Sequence, residues 1–128
     1  MELSPRRFAD TFVLSPRGRI DHANAGQLEK HLWPWLGTPG GGPGRLVLDL
    51  SDLEYISSAG LRVLLMASKQ VKAHGGTVAV AGLQAVVREI FEISKFTLVF
   101  PVFPTVRAAV EAGSPAARAA LDASPEGP

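Results

Sequence analysis

The sequence predicts a single α/β domain with a mixed, mostly parallel sheet of about four to five strands and about four helices. Three observations predict it. The chain has 128 residues, 46% of them hydrophobic, which is the size of one domain with a substantial core. Arg45-Leu-Val-Leu-Asp-Leu50 and Thr77 to Ala81 are nearly continuous apolar runs, as expected of strands covered on both faces. Segments of helical spacing stand between and after them, and strands alternating with helices call for parallel pairing through right-handed crossovers.

The elements follow in order. Phe8 to Leu14 alternates loosely and reads as a strand, ended by a turn at Pro16 and Gly18. Arg19-Ile20 is a short strand end. Asp21 and Asn24 are both N-cap candidates for a helix from about Ala23 to Leu36, with Leu28, Leu32, Trp35 and Leu36 apolar and Pro34 shortening or kinking it. Residues 37–44, GTPGGGPG, read as a flexible connector. A phosphate loop there lacks its preceding strand and its Lys-Ser/Thr pair. After the Arg45–Leu50 strand, Leu53 to Ile56 leads to Ser57-Ser58-Ala59-Gly60. Leu61, Leu64, Leu65, Ser68 and Val71 then recur at helical spacing until His74-Gly75-Gly76. Thr77–Ala81 is followed by a helix to Ile93, Phe96 to Phe100 reads as a strand, and a last helix runs from Pro104 or Thr105 to about Ala112. The domain is therefore expected to span 1–112, and the Ala-, Ser- and Pro-rich segment 113–128 to be a flexible tail.

Composition narrows the function. Net charge is +1 and the basic residues form no stripe, so neither nucleic acid nor an anionic membrane is called for as a partner. There is no cysteine, which excludes disulfides, thiolate catalysis and Cys-based zinc sites. No apolar stretch matches a secretory signal or a membrane span, and a cytoplasmic protein without direct membrane insertion is expected. His22, His31 and His74 lie in no catalytic or metal-binding pattern, and Asp49, Asp52 and Glu54 lack the ligand order of a calcium loop. No cofactor and no enzymatic activity are expected. Trp33 and Trp35 flank Pro34; core is the preferred reading, an exposed partner patch the other.

One stretch carries more than core. Ser57 and Ser58 sit where a loop becomes the first turn of a helix, whose unpaired N–H groups and partial positive charge favour a capping hydroxyl and welcome a phosphate. On chemistry alone, capping is the commoner use. The run from Leu46 to Leu65, with its Asp49-Leu-Ser51 strand end and Ser57-Ser58-Ala59-Gly60-Leu61 motif, resembles the signature of STAS domains of the anti-anti-sigma type. Gly18-Arg-Ile-Asp21 with Asn24-Ala25 and Leu28, and Gly75-Gly76-Thr-Val-Ala-Val80 with the Val86–Phe91 helix, resemble the same family in order and spacing. The resemblance covers about residues 8–112.

The resemblance implies a bacterial anti-sigma factor antagonist working by partner switching. Its unphosphorylated form binds an anti-sigma factor that is a Ser/Thr kinase, and a sigma factor is freed. Phosphorylation then ends binding, and a PP2C-type phosphatase resets the cycle. Matching glycine to Gly60 puts the phosphorylated hydroxyl at Ser58, with Ser57 as second choice. The family's Asp falls on Ser57, and its second hydroxyl on Ala59. The partner-binding candidates are Asp21, His22, Asn24, Ser57, Ala59, Gly60, Leu61 and Arg62. Asp21 is equally an N-cap candidate. Asp49 is a supporting residue that either accepts hydrogen bonds from the Ser57–Ser58 loop, the preferred reading, or faces water. The alternative is a STAS-like interaction subunit of a membrane lipid-transport or larger signalling complex, without phosphorylation.

Overall fold

A computed structural model describes residues 2–36 and 44–123. The central sheet has five strands in the order β1-β2-β4-β6-β7. They are β1 (Arg6–Phe8), β2 (Thr11–Leu14), β4 (Arg45–Asp49), β6 (Thr77–Ala81) and β7 (Val102–Phe103). Only the β1–β2 pair is antiparallel. A second, two-stranded parallel sheet joins β3 (Gly18–Ile20) to β5 (Leu53–Ile56). The helices are α1 (Ala25–Leu32), α2 (Ser58–Ala73), α3 (Ala85–Ile93), α4 (Val106–Glu111) and α5 (Pro115–Ala123).

The alternation along the strands sorts side chains to two faces. Leu46 and Leu48 of β4, Val78 and Val80 of β6 and Leu14 of β2 meet Leu28 and Leu32 of α1, Leu64 and Val71 of α2, and Val87 and Phe91 of α3 in the larger core. Val13, Val47 and Ala81 point the other way and are covered, with Phe8, by Ala109 and Val110 of α4 and Ala117 and Leu121 of α5. Continuous apolar strands are thus explained by helices on both sides.

Several boundaries differ from the sequence expectation. The Phe8–Leu14 segment is a hairpin, reversed at Ala9, which takes φ 56°. The first helix stops at Leu32 and tightens into a 3-10 turn over Trp33–Trp35, with Pro34 inside it. Phe96–Phe100 is not a strand: Phe96–Leu98 is a 3-10 turn, and Phe96 and Phe100 pack on Phe91 at ring-centroid distances of 5.8 and 6.2 Å. The strand comes later, at Val102–Phe103.

The largest difference is at the C-terminus. Residues 115–123 of the expected tail form α5, with Ala117 and Leu121 buried. Ser114 starts it: its Oγ accepts from the Ala117 amide at 3.0 Å and donates to Asp10 Oδ1 at 2.8 Å. Arg107 of α4 clasps it, donating to Asp122 at 2.8 Å and to Glu111 at 3.2 Å, and these bonds raise its pKa. Arg45 bridges the sheet to α4 through the Ala109 carbonyl. Burial lowers the Arg45 pKa, while Asp10 works in the opposite direction. Residues 124–128, and residues 37–43 of the Gly-rich connector, lie outside the described residues.

Candidate functional site

The site is assembled by the small β3–β5 sheet. Ile20 pairs with Ile56, so the chain leaves the two parallel strands side by side, at Asp21 and at Ser57. The Ser57 amide donates to the Ile20 carbonyl at 2.8 Å, tying the start of α2 to the β3–α1 turn. That turn is held by its own polar side chains. Asp21 Oδ1 accepts from the amides of Ala23 at 2.9 Å and Asn24 at 3.3 Å. Asn24 accepts from the Asp21 amide at 2.8 Å and donates to the Arg19 carbonyl at 2.8 Å. Asn24 occupies the N-cap position of α1 without a side-chain cap bond, and Asp21 braces the turn before it.

The two serines have different environments. Ser57 is the N-cap of α2, in extended backbone with φ −82° and ψ 171°, and its Oγ accepts from the Gly60 amide at 3.2 Å. It is 6% exposed. Ser58 is the first helical residue and faces solvent, and its hydroxyl makes no hydrogen bond among the described residues. The buried hydroxyl satisfies the helix, and the exposed one is left available.

Gly60 explains how α2 comes so close to the strands. A Cβ there would lie 2.7 Å from Ile20 Cγ2 and 2.7 Å from Ile56 Cγ1, closer than carbon atoms approach. The far end of α2 closes as the His74-Gly75-Gly76 signal predicts. Gly75 has φ +82° and bonds to Lys72, and Gly76 reaches back to the Val71 carbonyl at 3.0 Å.

A STAS domain model matches residues 3–109. The chain belongs to the STAS-domain family. A Bordetella bronchiseptica protein, BtrV, provisionally named an anti-sigma factor antagonist, is 40% identical over 112 residues, covering 88% of this chain and 94% of that protein. The crystal structure of an anti-sigma factor antagonist from Mycobacterium paratuberculosis superposes with a TM-score of 0.74 at 26% identity, covering 84% of this chain and 89% of that one. The STAS domain of a SulP transporter from Vibrio cholerae shares the fold, with a TM-score of 0.65 at 18% identity, covering 91% of this chain and 85% of that one.

Within this STAS domain, the surface around Ser58 is narrower than the sequence suggests. Ser57, Gly60 and Leu61 are buried and build the site from below. Ser58, His22 and Arg62 are exposed, while Asp21, Asn24 and Ala59 are half-buried. The serine in place of the family's Asp keeps an oxygen acceptor at the cap, since both residue types cap helices well. Replacing Ser57 by alanine is expected to cost about 1 kcal/mol of stability, read as a lower midpoint in urea unfolding with an unchanged slope.

Asp49 requires a correction. It does not reach the Ser57–Ser58 loop. Oδ1 accepts from the Ser51 amide at 3.1 Å and the Ser51 hydroxyl at 2.7 Å, Oδ2 accepts from Ser15 at 3.3 Å, and Arg6 lies 3.6 Å away. It therefore organises the C-terminal end of β4. An open groove of about 490 Å³ lies beside it, lined by Arg6, Asp49, Ser51, Gly82, Thr105 and Arg107. None of the Ser58 cluster lines that groove.

The histidines have local tasks or none. His31 Nδ1 lies 2.8 Å from the Gln27 carbonyl and His74 Nδ1 3.0 Å from that of Gln70, each one turn back along its own helix. Among the described residues, no group of three or more His, Asp or Glu is arranged to hold a metal ion, and no helix is long and apolar enough to cross a membrane. The tryptophans part company. Trp35 packs on Phe12 at 5.4 Å between ring centroids, and Trp33 is 58% exposed.

Proposed function

We propose that this STAS domain is an anti-sigma factor antagonist that binds an anti-sigma factor Ser/Thr kinase while Ser58 is free, and is released when Ser58 is phosphorylated. The observation that carries the reading is the division of labour at the motif: Ser57 is spent on the cap, and Ser58 stands exposed one residue further on. The provisional name of the relative at 40% identity points the same way. In the transfer step, a P–O bond forms between the ATP γ-phosphorus and Ser58 Oγ as the bond to ADP breaks, and the hydroxyl proton passes to a base on the kinase. The added group brings about −1.5 to −2 charges. At a helix N-terminus this charge is tolerated by the fold, while at a docked surface it is repelled or buried unpaired. A PP2C-type phosphatase would reverse the step. In this reading the chain contributes a substrate hydroxyl and a docking surface, and the catalytic groups belong to the partners.

The test is a pull-down from the native host, with intact mass recorded before and after ATP. An ATP-binding anti-sigma partner and one added phosphate, absent in Ser58→Ala, is the expected result. Co-purification with a membrane transport assembly and no added phosphate would replace this reading with that of an unphosphorylated interaction module, a use compatible with the fold shared with the transporter domain.

A further inference from the structure

The first two turns of α2 carry a cation and no anion, although Lys72 in its last turn suits the dipole. A helix N-terminus favours anions and disfavours cations, yet α2 has no acidic residue in its first turn. Arg62 stands instead one turn beyond Ser58, on the exposed side of the helix. Among the described residues the ion pairs join Arg6 to Asp49, Arg17 to Asp52, and Arg107 to Glu111 and Asp122, and Arg62 takes part in none of them. Residues four apart on a helix are neighbours, and an anion placed N-terminal to a cation is the favourable order. Ser58 and Arg62 have that spacing and that order, and lack only the anion.

We infer that Arg62 clasps the phosphoryl group carried by Ser58, so that the phosphorylated STAS domain holds its phosphate against its own helix and withdraws Arg62 from the docking surface. This rests on Ser58 being the phosphorylated residue. The buried neutral cap favours the clasp, because Ser57 puts no carboxylate beside the phosphate. Asp21 Oδ1 is engaged by the Ala23 and Asn24 amides, and among the described residues Asp21 forms no ion pair with Arg62. The other charged or titratable groups on the elements packed about α2 here are Arg19 of β3, His22 of the following turn, Glu29, Lys30 and His31 of α1, and Glu54 and Tyr55 of β5, and Tyr55 lies under the Arg19 guanidinium at 4.5 Å. Arg62 is a positioning residue here. Release of the partner then has two causes, charge added at Ser58 and a cation taken away one turn along.

The test uses the full chain with phosphoserine installed at position 58 during translation, so that no kinase is needed. Phosphorus NMR follows the second ionisation of the phosphate in wild type, Arg62→Ala and Arg62→Lys. The clasp favours the dianion, so wild type is expected to titrate about 0.2–0.4 pH unit below Arg62→Ala, with Arg62→Lys between them. The gap should close in 1 M salt, where the Debye length falls to about 3 Å. Influence of His22 is common to all three proteins and cancels in the comparison. Circular dichroism checks that the exposed substitutions leave the fold intact. Coincident titrations of wild type and Arg62→Ala would overturn the clasp. A host kinase that leaves Ser58 unmodified, with the titration gap present, would overturn the phospho-switch and leave the clasp standing as a property of the helix.

Discussion

Phosphoserine at position 58 is expected to weaken binding to the cognate anti-sigma kinase at least about a hundredfold, which is roughly 2.7 kcal/mol. Ser58→Glu should reproduce part of the loss, and Ser58→Ala should bind like the unmodified chain while accepting no phosphate. The size follows from where the charge falls. Ser58 is exposed at the head of a helix, so the free domain accommodates the group and circular dichroism should be unchanged. In a docked complex the same group must leave water. Losing a favourable contact costs little by comparison with burying an uncompensated charge, which costs several kcal/mol. Calorimetric titration of the three proteins into the kinase gives the ratios directly. Equal affinities would put the switch, if there is one, on another residue.

Gly60→Ala is expected to destabilise the domain by about 1–3 kcal/mol, the usual cost of forcing extra carbon into a packed site. The contacts at 2.7 Å are with Ile20 Cγ2 and Ile56 Cγ1, atoms of fully buried side chains on the ladder that carries the site. Neither is the loose end of a surface chain, so relief must come from lifting α2 away from β3 and β5. Such a shift moves Ser58 with it, and phosphorylation should slow even where the protein remains folded. Gly26→Ala is the matched control. Gly26 is exposed inside α1, with nothing within 4 Å of the new atom, and the exchange should stabilise by about 0.5–1 kcal/mol. Thermal melts of the two variants are therefore expected to shift in opposite directions. A Gly60→Ala protein as stable as wild type would show that α2 does not rest on the ladder at this point.

The central strands and α2 were legible because their signals are redundant. Arg45–Asp49 and Thr77–Ala81 carry unbroken apolar runs, and α2 has a capping serine at one end and two glycines at the other. What escaped did so for definable reasons. The hairpin reverses at Ala9, a residue that carries no turn signal of its own. Phe96–Phe100 is a short apolar run, and such runs do not distinguish an extended strand from a helical turn. Here its rings pack edge-on and tilted against Phe91 instead. The Ala-rich C-terminal segment looked like a tail by composition, yet Ser114 followed by Pro115 is a cap followed by a first-turn proline, and alanine is the best helix former. At the site, the motif indicated which residues belong together. Helical spacing already put Leu61 inward and Arg62 outward, but the motif did not separate Ser58, which faces out, from Ser57, which faces in. That difference depends on the angle at which α2 meets β3 and β5, strands whose paired residues Ile20 and Ile56 are distant in sequence and are brought together only by folding.

The docking of α5 bears on how the family boundary should be used. The STAS match ends at residue 109, and a chain cut there would lose the helix that covers Phe8, Val13 and Val47 on the second face of the sheet. Those side chains would form a bared apolar strip next to β1, an edge strand with unpaired backbone groups. A protein shortened to the recognised limit would self-associate, and the clumping would be misread as a propensity of the domain itself. The nine residues Pro115–Ala123, which lie outside the family match, are thus expected to protect the protein from clumping, together with Val110 of α4.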